Sequence, residues 1–159
     1  RYGPFLAFRH FNSRTMKGLA MKTHLVLAAL TLTGTLIVPA LAGPQQDAII
    51  AHYAELAKAA DPAFAGFSAT EGEAFYLADH TGGGPDTPSC TSCHTKNPAA
   101  AGKTRAGKEI APMAISITPD RFTDLAKVEK WARRNCNSVL GRDCTAKEIG
   151  DVLSWLASK

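Results

Sequence analysis

The sequence predicts an all-α domain in residues 43–159, preceded by a segment that is not part of the fold. Four stretches carry apolar residues at the three- and four-residue spacing of amphipathic helices, with Pro- and Gly-containing connections between them. No stretch shows the alternation of apolar and polar residues that is typical of a half-buried strand. A chain of 159 residues has room for one such domain, whose modest core would benefit from a disulfide or a bound cofactor.

The first 42 residues have the features of upstream and targeting sequence. Residues 21–42 start with a short basic end, continue with an apolar run over residues 25–38 and finish with a small-x-small sequence. This order predicts a secretory signal peptide that is cleaved after Ala42, with an uncleaved anchor as the alternative. Residues 1–20 do not begin with Met, and we interpret them as a non-native upstream extension of an over-long reading frame. Export would place the mature domain in the periplasm, where cysteines can pair.

The basic charge of the chain is concentrated in this leading segment. Five of the 18 basic residues and none of the 14 acidic residues precede residue 43, so residues 43–159 hold 13 basic and 14 acidic side chains. The formal charge of +4 therefore does not describe the mature domain. The high isoelectric point of the whole chain is therefore no evidence for nucleic-acid binding, and we exclude that function for residues 43–159.

The first two predicted helices are bounded by clear start and stop signals. Residues 45–60 form an Ala-rich helical pattern that ends at an Asp-Pro pair. A Ser-x-x-Glu capping box at residues 68–71 opens a second helix, which we expect to continue to about residue 79. Residues 80–88 are rich in Gly and Pro and predict a loop.

Two further helices are predicted after a long irregular segment. Residues 95–120 are polar and interrupted by three prolines, which predicts a loop of the kind that often wraps around a ligand. A third helix begins at residue 123 or 124. A second capping box at residues 145–148 opens the fourth helix, which carries an apolar stripe at i, i+3, i+4 and i+7 spacing.

Residues 90–94 read CTSCH, which is the C-x-x-C-H motif of c-type haem attachment. In such a motif the two thiols form thioethers with the haem vinyl groups, and the adjacent histidine binds the iron as its proximal ligand. A Cys90–Cys93 disulfide would leave His94 without a role. A zinc site lacks a second pair at ligand spacing, and a thioredoxin-like motif would require a βαβ unit. We therefore predict one covalent haem c at Cys90, Cys93 and His94.

The other two cysteines, Cys136 and Cys144, lie near the end of the third helix and just before the fourth. A bridge between them would close a short loop and stabilise the fold by about 2.5 kcal/mol. Its function would be either to fix the turn that follows Asn135 or simply to join two helices. We expect this pair to be oxidised in both cases.

The residue on the distal side of the iron decides between electron transfer and the binding of small molecules. Met113, the only methionine of the mature domain, would give an electron-transfer cytochrome, but it could equally line the pocket. His52 and His80 are better explained by their positions in and at the end of a helix. Asn135 lies one turn beyond Trp131 on the face expected to point inward, although Asn has poor helix propensity. Spacing alone leaves Met113 and Asn135 as equal candidates.

Seven blocks of the domain have sequences that are specific enough for comparison with a protein family. They are PDTPSCTSCH at 85–94, GKEIAP at 107–112, TPDRFTD at 118–124, VEKW at 128–131, RNCNSV at 134–139, GRDCT at 141–145 and WL at 155–156. Together they resemble the sphaeroides haem protein family of class I cytochromes c, over roughly residues 70–159. The resemblance implies a class I fold with about four helices around one haem.

The resemblance also distinguishes between the two distal candidates. In that family the distal ligand is an Asn directly before the first cysteine of a disulfide. Asn135 precedes Cys136 in this way, and Cys144 matches the second cysteine. Met113 falls where the family often has Leu, so Met113 is expected to line the pocket together with Trp131.

A carboxamide is a weak, hard ligand that suits ferric better than ferrous iron. The resemblance therefore implies that Asn135 is released on reduction, which would open the site to oxygen, nitric oxide or similar molecules. The family is associated with diheme cytochrome c donors, so electrons are expected from a protein partner. A basic stretch that could meet an acidic partner, or simply be solvated, comprises Lys96, Lys103, Arg105 and Lys108.

Two other functions remain open from the sequence. A plain electron-transfer protein would use Met113 as its sixth ligand. An oxygen or nitric-oxide reductase would need groups for proton transfer, and no acid–base pair stands out beside the haem motif.

Overall fold

The computed structural model describes residues 43–159. It contains five helices and two short strands, in the order α1 (Pro44–Ala60), α2 (Ala69–Leu77), α3 (Thr91–His94), β1 (Gly102–Lys103), β2 (Glu109–Ile110), α4 (Leu125–Leu140) and α5 (Ala146–Ala157). The predicted all-α class is confirmed for this part of the chain. The predicted upstream extension and signal peptide, residues 1–42, lie outside the described residues. None of the helices in the described range is long and apolar enough to cross a membrane.

A small hairpin corrects the prediction that residues 95–120 contain no strand. Its strands β1 and β2 pair antiparallel, with Gly102 opposite Ile110. The turn between them is closed by a hydrogen bond of 2.8 Å from the Thr104 backbone N–H to the Lys108 carbonyl. Strands of two residues are too short to produce a visible alternation, so the sequence pattern could not reveal them.

Side-chain caps fix the starts of three helices. The Ser68 hydroxyl accepts a hydrogen bond from the Glu71 backbone N–H at 3.2 Å, and the Asp124 carboxylate caps α4 in the same way. Thr145 and Glu148 form the reciprocal capping box of α5. The predicted starts at residues 68 and 145 are therefore confirmed, because these side chains satisfy N–H groups that have no partner within the helix.

Helices α2 and α5 cross at direct backbone contact. A Cβ atom on Gly72 would lie only 2.1 Å from the Asp151 carbonyl oxygen, so this crossing admits only glycine. Polar contacts support it, since the buried Asp151 carboxylate accepts a hydrogen bond of 2.8 Å from the Ser68 backbone N–H. Lys147 pairs with both Glu71 and Asp151, which joins the two helices at the same level.

The apolar core consists of two clusters that share α5. The first joins α1, α4 and α5 through Ile49, Tyr53, Val128 and Leu153. The second joins α2 and α5 through Tyr76, Trp155 and Leu156. Phe122 packs against both clusters, so the segment that precedes α4 connects the two halves of the core.

The segment before α4 is irregular but fixed by hydrogen bonds to its carbonyl groups. The buried Gln46 side chain on α1 donates to the carbonyls of Pro119 and Arg121, at 2.9 and 3.0 Å. The Arg121 guanidinium donates in turn to both carbonyls of the dipeptide Ala111–Pro112. The predicted long loop therefore has one defined path across the domain.

We expect Gly72→Ala to destabilise the domain by about 2 kcal/mol or more, because the new methyl group would force α2 away from α5. Helix propensity alone would predict the opposite sign, a stabilisation of up to about 1 kcal/mol. Urea unfolding followed by far-UV circular dichroism gives the difference. A variant at least as stable as the parent would show that the two backbones are not in contact.

Glu148→Gln tests the contribution of the ion pair with Arg142, whose nitrogens lie 2.7 and 2.8 Å from the Glu148 carboxylate. Hydrogen bonding from Arg142 lowers the pKa of Glu148, so the pair contributes stability above the usual glutamate pKa. We expect the parent to exceed the variant by up to about 1 kcal/mol at pH 7. This difference should disappear as the pH falls through the lowered pKa. Unfolding at several pH values checks it, with the exposed Glu55→Gln as the control; a difference independent of pH would contradict the assignment.

Candidate functional site

The motif at residues 90–94 forms a single helical turn, α3. The buried Ser89 hydroxyl accepts a hydrogen bond of 3.0 Å from the Thr91 backbone N–H and so starts the turn, and the His94 N–H donates to the Cys90 carbonyl at 3.1 Å. Cys90 and Cys93 are half-buried and carry free thiols. The alternative of a Cys90–Cys93 disulfide is therefore wrong, and both thiols are available on one turn beside His94.

The hairpin lies directly on this turn. A Cβ atom on Gly102 would lie 2.1 Å from the Cys93 carbonyl oxygen, so β1 approaches α3 as closely as two backbones can. Thr95, immediately after His94, has a φ of 65°, which is uncommon for a residue with a side chain. The chain thus leaves α3 in a conformation that the surrounding contacts impose.

The His94 imidazole is held in the state that binds a metal. Burial lowers its pKa, and the positive charge of Arg121 lowers it further. The neutral imidazole is the form that donates an electron pair to a metal ion. Burial also raises the pKa of the Cys90 thiol to about 11.

Three buried side-chain polar atoms within residues 43–159 have no hydrogen-bond partner: His94 Nδ1 of the motif itself, the Tyr76 hydroxyl and Trp155 Nε1. The Tyr76 and Trp155 rings pack with centroids 4.9 Å apart, in the cluster that also contacts Cys90. Burial, and the nearby Cys90, raise the pKa of Tyr76. Since buried donors normally have partners, two thiols, an imidazole and two unpaired donors in one region fit a haem with its carboxylates.

The sequence did not identify Tyr76 and Trp155 as site residues. Both were visible as aromatic residues of helical segments, but their residue types also fit an ordinary core. Only the tertiary structure reveals that they meet beside Cys90 with their polar atoms unpaired.

Met113 lies in the same region. It packs against the Tyr76–Trp155 cluster, as Cys90 does, and its backbone N–H donates to the Pro98 carbonyl at 2.8 Å. This position is compatible with the predicted role in lining a pocket.

Asn135 is half-buried on α4 and makes no side-chain hydrogen bond to any residue in the described range. Asn137, on the other side of Cys136, differs in this respect, since its amide donates to the Arg133 carbonyl and to the Asp143 carboxylate. Of the two amides that flank this cysteine, only that of Asn135 is therefore available to a ligand.

The expected disulfide between Cys136 and Cys144 is present, with a Cα–Cα distance of 5.6 Å. It joins Cys136, near the C-terminal end of α4, to Cys144, which directly precedes Thr145, the N-cap of α5. The turn that carries Asn135 is thereby fixed to the start of the next helix.

The face of α4 that was expected to point inward is only partly covered by protein. Val128 is buried and Asn135 half-buried, but Trp131 is 52 % exposed. Lys130 Nζ and Arg134 Cζ lie 5.9 and 5.4 Å from the Trp131 ring centroid. Trp131 is therefore held among cations one turn before Asn135.

The other two candidates have protein partners. His52 on α1 lies 3.8 Å from Glu129 on α4, and the His80 ring contacts the Phe75 carbonyl at 2.8 Å, so both histidines have contacts that need no role at an iron.

The basic stretch is exposed but partly neutralised. Arg105 forms an ion pair of 2.8 Å with Asp86, and Lys103 lies opposite Glu109 in the hairpin. This leaves Lys96, Lys103 and Lys108 as the cations of the stretch without an ion pair among the described residues.

Comparisons with known proteins agree on one family. The family model "Domain of unknown function (DUF1924)" matches residues 62–156. Cytochrome c-type protein SHP of Cereibacter sphaeroides is 56% identical over 131 residues, which is 82% of this chain and 97% of that protein.

Solved structures give the same result. A structure of oxidised SHP, described as an oxygen-binding cytochrome c, matches with a TM-score of 0.66 and 54% identity, and the match covers 72% of this chain and 96% of that one. A solution structure of cytochrome c'' from Methylophilus methylotrophus, described in terms of haem-ligand detachment, matches with a TM-score of 0.62 and 34% identity. That match covers 72% of this chain and 93% of the other.

We expect the double variant Cys90→Ala/Cys93→Ala to lose covalent attachment of haem, because no thioether can form. The parent should retain haem on a denaturing gel, detected by its peroxidase stain, and the variant should not. The matched control Cys136→Ala/Cys144→Ala removes the other two cysteines and should retain the stain. Stain on the denatured double variant would contradict the assignment.

Proposed function

Because the chain belongs to the sphaeroides haem protein family of class I c-type cytochromes, we propose that it is an exported electron-accepting cytochrome that binds diatomic molecules such as oxygen or nitric oxide. The family carries one covalently bound haem c, which supplies an iron that changes oxidation state and accepts axial ligands. We assign its covalent attachment to Cys90 and Cys93 and its proximal ligation to His94.

The single observation that carries this proposal is the availability of the Asn135 amide. Its side chain has no hydrogen-bond partner in the described part of the chain, whereas the neighbouring Asn137 amide has two. An amide oxygen is a weak ligand that favours ferric iron. Asn135 would hold the distal side of the iron in the oxidised protein and would be the ligand lost on reduction, which would couple electron entry to gas binding.

Other residues of the region hold the cofactor without binding the iron. The Tyr76 hydroxyl and the Trp155 indole N–H are buried donors without partners, which suits them to the haem carboxylates. Met113 packs in the same cluster and lines the pocket from that side. Trp131 lies one turn from Asn135 and lines the pocket on α4.

The relatives support the gas-binding part of the proposal. SHP is described as an oxygen-binding cytochrome c, and cytochrome c'' in terms of haem-ligand detachment. Transfer of both properties to this chain gives a site that opens by loss of a weak ligand. The electron donor is a diheme cytochrome c or another redox protein, and the protein acts in the periplasm after cleavage of the signal peptide at residue 42.

A second function rests on the position of Met113. Because Met113 packs against the same cluster as Cys90, its thioether is the alternative sixth ligand, and the protein would then be a plain electron-transfer cytochrome. Oxygen or nitric-oxide reductase activity would require turnover beyond binding, which gas consumption with a reduced partner measures.

Asn135→Ala separates the two functions. We expect its oxidised form to shift from a six-coordinate to a five-coordinate optical spectrum, because the distal ligand is lost. Its reduced form should match the reduced parent, high-spin and reactive with carbon monoxide, since Asn135 is already released there. Asn137→Ala is the matched control and should leave both spectra unchanged.

Met113→Ala gives the opposite test. We expect it to retain the oxidised spectrum of the parent. A thioether-to-iron charge-transfer band at the red end of the parent spectrum that Met113→Ala abolishes would establish the electron-transfer alternative instead.

A further inference from the structure

The Gly-rich loop before Cys90 rests directly on the C-terminal turn of α4. Cβ atoms on Gly82 and Gly83 would lie 2.6 Å from the Leu140 carbonyl oxygen and 2.3 Å from that of Ser138. The run of glycines therefore allows backbone-to-backbone contact between the haem-attachment segment and α4. This contact explains why the loop is rich in glycine, since the C-x-x-C-H motif itself does not require glycine there.

The contact is closed by two hydrogen bonds to one carbonyl group. The Ser138 carbonyl accepts from the Gly84 backbone N–H at 2.8 Å and from the Thr87 hydroxyl at 2.9 Å. Ser138 is among the last four residues of α4, whose carbonyl groups have no partner within the helix. Thr87 is buried, with 8 % of its surface exposed, so its hydroxyl has little access to water. The Gly84 carbonyl, 3.4 Å from the Thr87 hydroxyl, is a second and more distant acceptor for that hydroxyl.

These bonds join the two sides of the site through short stretches of chain. Thr87 precedes Cys90 by three residues, and Ser138 follows Asn135 by three residues on the same face of α4. The opposite side of the same helical turn is fixed by the disulfide from Cys136 to Cys144. The turn that presents Asn135 is thus tied to the haem-attachment segment on one side and to α5 on the other.

On the basis of the proposed function, we propose that Thr87 is a positioning residue for the distal ligand: its hydrogen bond to Ser138 holds the Asn135 turn at the haem. A weak ligand such as an amide depends on this positioning, because it binds only where the protein offers it at the right place. Loss of the hydroxyl makes Asn135 easier to displace from oxidised iron. The reduced state is unaffected, because Asn135 is released there.

The test uses the full holoprotein and imidazole as a competing ligand. In oxidised Thr87→Val we expect the apparent Kd of imidazole to fall about fivefold, which is the effect of one net hydrogen bond. Thr87→Ser keeps a hydroxyl and should restore the parent value. Thr123→Val is the matched control, because it removes a hydroxyl-to-carbonyl bond of 2.8 Å to Asp120 outside the site. The carbon monoxide affinity of the reduced form should equal that of the parent in all three variants.

Asn135→Ala in the same titration separates this inference from the proposed function. A fall in the imidazole Kd in Asn135→Ala but not in Thr87→Val would overturn the role of Thr87 alone. An unchanged Kd in Asn135→Ala would overturn the distal assignment of Asn135, and the role of Thr87 with it. A parallel change in carbon monoxide affinity in Thr87→Val would mark general damage to the pocket and also overturn the inference.

Discussion

The contact of α2 with α5 at Gly72 is the constraint on which the rest of the site depends. Because no side chain separates the two backbones there, Tyr76 one turn later on α2 meets Trp155 on α5. Their cluster is the surface against which both Cys90 and Met113 pack. A wider crossing would separate these rings and remove the support beneath α3. The turn α3 itself is only four residues long and contributes little stability of its own.

The unpaired polar atoms of the Tyr76–Trp155 cluster reduce the stability of the fold unless a bound group supplies hydrogen-bond acceptors. A buried donor without a partner costs about 1–3 kcal/mol. The Tyr76 hydroxyl and the Trp155 indole N–H are both in this position, in the core cluster against which Cys90 packs. A core selected for stability alone would place Phe or Leu there. These two residues make sense as part of a surface that binds a group carrying hydrogen-bond acceptors, which is why the fold and the haem assignment support each other.

Helix α4 differs from this cluster. Contacts with other elements hold its C-terminal end, whereas the side chain of its candidate ligand has no hydrogen-bond partner among the described residues. The disulfide and the carbonyl contacts of the Gly-rich loop hold residues 136–141. The Asn135 amide makes no bond to the described residues, and the neighbouring Trp131 is largely exposed. For the proposed role of Asn135 as a distal ligand, a helix held at these points with a free amide side chain is suited to release by rotation of that side chain, without movement of the backbone.

The sequence by itself determined the elements whose signals are local. The C-x-x-C-H motif, the N-caps at Ser68 and Thr145, and the four main helices depend on neighbouring residues, and the structure contains each of these elements. The predicted capping box at Ser68 is only half formed, because the Ser68 backbone N–H donates to Asp151 and not to Glu71. The sequence also restricted the distal ligand to Met113 or Asn135, but spacing could not choose between them. Only the tertiary structure decided that Gly72 is a crossing point, that Tyr76 and Trp155 meet with unpaired polar atoms, and that the Gly-rich loop caps α4. Each of these contacts joins residues more than 50 positions apart, and helical periodicity gives the face of a residue but not its partner.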